Sequence, residues 1–146
     1  MPFSFKEGDI LYLKNPPYTD HPKYQLVLSV EKDLCFVINK DINNTVSIND
    51  DLKKCQVLLK KLPNHTFMPL DESYIACHQL APKIRSDEIE RMIKLNEILI
   101  VGKIDRDTLE KVKDVVVNNR ITLTGFDILY ITQGLDKVTF PEQTAH

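Results

Sequence analysis

Three prolines, Pro16, Pro17 and Pro22, stand between the apolar runs Asp9-Ile10-Leu11-Tyr12-Leu13 and Gln25-Leu26-Val27-Leu28-Ser29. Each removes a backbone donor and fixes φ, so neither a helix nor a strand ladder continues through them. Gly8 and Asp9 supply a turn before the first run. The pattern predicts a strand near 8–14, a long exposed loop and a second strand near 25–30, paired in one sheet. The loop gathers Tyr18, Thr19, Asp20, His21, Lys23 and Tyr24. Binding and catalytic groups concentrate on such loops when a rigid scaffold carries them.

Further along, Leu34-Cys35-Phe36-Val37-Ile38 is a short apolar run bounded by charge, which predicts a buried strand near 34–39. Thr45-Val46-Ser47-Ile48 reads as a short strand among turn-forming asparagines and aspartates. Strands are also expected near 55–60, 73–79 and 97–103, and His65 beside Pro63 and Asn64 reads as an exposed turn residue. A helix near 87–95 starts from Ser86 as N-cap and carries Ile89, Met92 and Ile93 on one side. A second helix near 105–118 is capped by Asp105, with Leu109, Val112, Val115 and Val116 at helical spacing. Gly125 then interrupts the chain, and Phe126–Ile131 is an apolar run compatible with either element.

The length of 146 residues suits one domain with a single sizeable core. A formal net charge of −2 and a pI near 6.1 give no global attraction for nucleic acid, so any RNA must meet a local basic patch. The pairs Lys53-Lys54 and Lys60-Lys61 either protect strand ends or track phosphates. Cys35, Cys55 and Cys77, an odd number in strand-like surroundings, read as buried thiols of a reducing compartment. Neither a Cys-x-x-Cys nor a His-x-x-x-His spacing points to a metal, and no cofactor is implied. Met1-Pro2-Phe3-Ser4 lacks the apolar region of a signal peptide, and no apolar run is long enough to span a membrane. A cytoplasmic protein is expected.

Several segments, taken in order, resemble the MazF/PemK family of toxin ribonucleases. Gly8-Asp9-Ile10-Leu11-Tyr12-Leu13, the Pro/Thr-bearing loop and Leu26-Val27-Leu28-Ser29 are similar to its opening. Phe67–Leu80, with Ser73 leading into Cys77-His78-Gln79, is similar to its later strand, and Val101-Gly102-Lys103-Ile104-Asp105 to its closing segment. The resemblance implies a mainly β chain with α: an SH3-like, curved antiparallel barrel of five to seven strands with appended helices. Residues 1–120 are expected to form that barrel, and residues 121–146, beyond the resemblance, a C-terminal extension packed on the same domain. It further implies a metal-independent endoribonuclease of a toxin–antitoxin system. Such an enzyme cleaves single-stranded RNA to a 2′,3′-cyclic phosphate, works as a homodimer and is restrained by an antitoxin.

Carried over residue by residue, the pattern departs at the positions that matter most. Lys23-Tyr24 stands where family members have Arg-Pro, Asn39-Lys40 where a Thr or Ser ends the strand, and Ala76-Cys77-His78-Gln79 where Arg-Cys-Asp-Gln is usual. Lysine neutralises phosphate but lacks the planar fork of arginine. His78 becomes the first catalytic candidate, as a general base or acid, with Lys23 and, in a lesser part, His21. Tyr18, Thr19, Tyr24, Asn39, Lys40 and Gln79 are the RNA-binding candidates, the two tyrosines by stacking on bases. The alternative is a catalytically inactive barrel retained to bind nucleic acid or protein.

Overall fold

The computed structural model describes residues 3–42, 44–119 and 121–140. Six strands form one sheet: β1 (Asp9–Leu13), β2 (Lys23–Ser29), β3 (Leu34–Asn39), β4 (Gln56–Lys60), β5 (Glu72–Leu80) and β6 (Ile98–Lys103). Their spatial order is β4-β5-β3-β2-β1-β6, and every neighbouring pair is antiparallel. The sheet does not close into a barrel: β4 and β6 remain its two edges. The expected barrel-like sheet is therefore an open one.

Period-two alternation divides the side chains between two faces. Ile10, Leu26, Leu28, Phe36, Ile38, Val57, Leu59, Ile75 and Cys77 point into the larger core. That core is completed by α4 (Arg106–Asn118) through Leu109, Val112 and Val116, and by α5 (Gly125–Leu135) through Ile131 and Leu135. Leu11, Leu13, Val27 and Cys35 point the other way and meet Ile89 and Met92 of α3 (Ser86–Lys94). No residue of β4 or β5 belongs to this second cluster, so among the described residues α3 covers the part of its face made by β6, β1, β2 and the start of β3.

Local chemistry explains most boundaries. The Asp105 carboxylate caps α4 by accepting from Thr108 N–H at 2.9 Å. Thr124 and Asp127 form a reciprocal capping box at the start of α5. Ser86 is not the N-cap of α3 but its first residue. Its hydroxyl instead donates to the Val30 carbonyl, while the Asp33 carboxylate accepts from its N–H at 2.8 Å. Thr45–Ile48 is not a strand. The segment forms the helical turn α1 (Asn44–Ser47), followed by α2 (Asp50–Lys53), which Asn49 caps. Asparagine side chains that satisfy orphan N–H groups favour such turns over a ladder.

His65 is buried, not exposed. Its Nδ1 donates to the Lys60 carbonyl at 2.8 Å and its Nε2 accepts from Asp105 N–H at 3.0 Å, tying the 61–68 turn to the start of α4. Gly102 is a glycine because the Phe67 ring lies where a side chain would project from β6. Residues 123–140 share the larger core, and residues 141–146 of the expected extension lie outside the described residues. The three thiols are free and buried, and burial pushes that of Cys35 up to about 12. Among the described residues no helix is long and apolar enough to cross a membrane.

Gly134 sets how closely α5 approaches the sheet, since a Cβ there would overlap the Leu28 carbonyl oxygen of β2. Gly134→Ala should lift α5 off the sheet and cost about 1–3 kcal/mol or more, the range of overpacked cores. A chemical-denaturation midpoint equal to that of the unsubstituted chain would contradict this contact.

Candidate functional site

The strand ends carry the polar residues to two clefts. A cleft of about 870 Å³ is lined by His21, Lys23, Tyr24, Asn39 and Lys40, with Met68, Pro69 and Ser73 opposite. A smaller one of about 240 Å³ is lined by Tyr18, Thr19, Lys23, Asn39, His78 and Gln79, over Val37 and Ala76. Tyr24, Ile38 and Ser73 belong to the face that holds the larger core, whereas Lys23, Val37 and Ala76 belong to the face that α3 half covers. The clefts thus open on opposite faces and meet at the sheet's end, where Lys23 and Asn39 line both. All nine residues singled out from the sequence fall on this pair of clefts.

Their immediate partners differ. Tyr18 accepts a short hydrogen bond from Gln25, whose side chain is buried, so the loop is fastened to β2 and burial raises the phenol's pKa. Tyr24 lies opposite Tyr12 in register with ring centroids 4.9 Å apart, and burial raises its pKa too. Neither ring is a free stacking surface. Thr19 Oγ accepts from the His21 N–H at 3.4 Å within the loop turn. The His21 Nε2 lies 3.3 Å from the Asp20 carboxylate, both side chains largely exposed. Lys40 and Gln79 are exposed, while Lys23 and Asn39 are half-buried.

His78 sits where β5 departs from its ladder. Between the Ile38–Ile75 and Phe36–Leu80 pairs β3 advances two residues and β5 five, so β5 loops outward and displays His78 and Gln79. The Gln56 Nε2 lies 2.9 Å from His78 Nδ1 and 3.1 Å from the Leu52 carbonyl oxygen. The carbonyl can only accept, so it fixes the amide with its NH2 toward both partners. His78 Nδ1 then accepts, and its proton resides on Nε2. Burial lowers the imidazole's pKa, and the Gln56 NH2 opposes a second proton. A lone pair already engaged is a poor general base. Gln56 was not legible as a site residue because its partner is twenty-two positions away on another strand.

A second contribution comes from Asn119, a buried residue in the turn after α4. Its Nδ2 donates to the Cys77 carbonyl at 3.3 Å and to Thr122 Oγ at 2.7 Å, next to the displaced part of β5. Among the described residues no group of His, Cys, Asp and Glu is placed to hold a metal ion.

Because the folded chain binds the His78 proton less readily than the unfolded chain, acid costs stability. The loss should begin near the ordinary histidine value of 6.5 and level off once pH has fallen through the lowered folded value. Gln56→Glu places an acceptor against Nδ1 and should raise the His78 pKa, read by NMR titration of its ring protons. An unchanged or lower value would remove the assigned hydrogen bond.

Set against protein-family models, curated proteins and solved structures, the chain matches none significantly, so its function must be read from the geometry itself.

Proposed function

We propose that the chain is a MazF/PemK-like endoribonuclease that cleaves single-stranded RNA without a metal, on an open variant of the SH3-like sheet. One observation carries this reading: Lys23 lines both clefts, with His21 in one and His78 in the other. A phosphodiester paired with the Lys23 ammonium has a histidine to either side. His21, whose Nε2 faces Asp20, takes the proton of the ribose 2′-OH on its other nitrogen. The 2′-oxygen attacks phosphorus, and the bond to the 5′-oxygen breaks. That oxygen takes a proton from water, leaving a 2′,3′-cyclic phosphate and a 5′-hydroxyl. His78, neutral and protonated on Nε2, donates to a phosphoryl oxygen and stabilises the charge that builds there. Asn39, Lys40, Thr19 and Gln79 line the path of the neighbouring nucleotides.

Proton transfer thereby passes to His21, whereas the sequence expectation put it on His78 with His21 in a lesser part. The resemblance also supports a homodimer and an antitoxin peptide as partners, and the free, buried thiols suit a reducing, cytoplasmic site of action.

A second reading, a barrel-derived module that binds RNA without cutting it, is favoured by the engaged lone pair of His78 and by lysine in place of arginine at position 23.

The purified protein should cut single-stranded RNA in the presence of a chelator and leave DNA, which lacks the 2′-OH, intact. His21→Ala and His78→Ala should each slow cleavage by about 10²-fold or more. Lys23→Ala should weaken RNA binding and flatten its salt dependence. RNA bound in a Lys23-dependent way but never cut would replace the enzyme by the module. RNA neither bound nor cut would dismiss both.

A further inference from the structure

The face that α3 leaves half covered carries a row of side chains across the strands. Tyr74 of β5 pairs with Asn39 of β3 on one side and with Leu58 of β4 on the other. Lys23 precedes the Tyr24–Ile38 pair by one residue and so falls level with Asn39. Gln56, Ala76 and His78 lie one step along the same face. On the α3 side of this face Leu11, Leu13, Gln25, Val27 and Cys35 are buried; in this row Lys23, Asn39, Leu58 and Tyr74 are only half-buried.

Tyr74 differs from the other four tyrosines. Tyr12 and Tyr24 meet each other, Tyr18 is held by Gln25, and Tyr130 lies against Phe126 and under Lys32. Among the described residues no side-chain hydrogen bond or ring contact engages Tyr74. Its ring has an apolar neighbour in Leu58, an amide in Asn39, and a cation two strands away. At the spacing of neighbouring strands, Lys23 and Tyr74 are on the order of 10 Å apart along the row. Aromatic rings on an open sheet face stack bases, and a nearby cation takes the backbone phosphate.

We infer that Tyr74 is the platform on which a nucleobase of single-stranded RNA stacks, beside the phosphate paired with Lys23. The inference rests on the RNA reading of the clefts and adds to it a surface that neither cleft includes. The hydroxyl is dispensable and the ring is not. Leu58 supports one edge of the stacked base, and the Asn39 amide is placed for its hydrogen-bonding edge.

The test uses the intact chain and two labelled oligomers of equal length: a single-stranded RNA with every 2′-oxygen methylated, which cannot be cut, and the same backbone without bases. Fluorescence anisotropy should show Tyr74→Ala binding the base-bearing oligomer roughly 5- to 150-fold more weakly, the scale of one lost stacking contact. Tyr74→Phe should bind as the unsubstituted chain does, and the base-free oligomer should bind all three alike. Tyr74→Leu, which keeps apolar bulk, replaces the alanine variant if that variant unfolds by circular dichroism. Equal affinity of the alanine or leucine variant for the base-bearing oligomer would overturn the platform while leaving the clefts' RNA reading intact, and so would an equal loss for both oligomers. An unsubstituted chain that binds neither oligomer would remove the RNA reading and the platform together.

Discussion

The structure depends on the two-residue alternation of β2, which separates two kinds of surface. Leu26 and Leu28 turn toward α4 and α5, while Lys23, Gln25 and Val27 turn toward the opposite face. A slip of one residue would turn Lys23 and Gln25 toward the larger core and take Leu26 and Leu28 out of it, so apolar burial on one face fixes where every polar residue on the other must lie. β2 also takes the close approach of α5 at Gly134, and anchors the proline-bearing loop through Gln25.

Much of the architecture was legible because its signals are local. The three prolines fixed the loop between β1 and β2. Charged boundaries marked β3 and β4, and the 3.6-residue recurrence of Leu109, Val112 and Val116 marked α4. The failures were also physical. Phe126–Ile131 is apolar on more than one side, so periodicity could not decide its type; the capping box of Thr124 and Asp127 does, and Gly125 is its first helical residue instead of a break. Thr45 and Val46 have strand propensity, yet they lie in a helical turn that runs into the Asn49-capped α2. Closure of the sheet depends on whether β4 reaches β6, which no local pattern encodes.

For the site, residue types at 18–24, where the expected loop in fact gives way to β2 at Lys23, and at 39–40 and 78–79 were sufficient to name the groups that line the clefts. Their division between two faces was not legible, because it follows from register between strands distant in sequence. The state of His78 was even less so. It depends on Gln56, whose amide is oriented in turn by the Leu52 carbonyl. Tyr74, in a stretch already singled out by resemblance, gained meaning only when its cross-strand neighbours were known.

The hydrogen bond between the buried Gln25 amide and the Tyr18 hydroxyl has a consequence for any molecule that enters the clefts. A loop of this length, bearing three prolines, would otherwise sample many arrangements. Fastened at Tyr18, its turn is selected when the chain folds, and proline has already narrowed the alternatives in the unfolded state. The entropy of ordering Thr19 and His21 therefore does not fall on the incoming ligand. Preorganisation of this kind shows chiefly as slower dissociation. For the RNA proposed above, the hydrogen bond between Tyr18 and Gln25 would thus act on residence time.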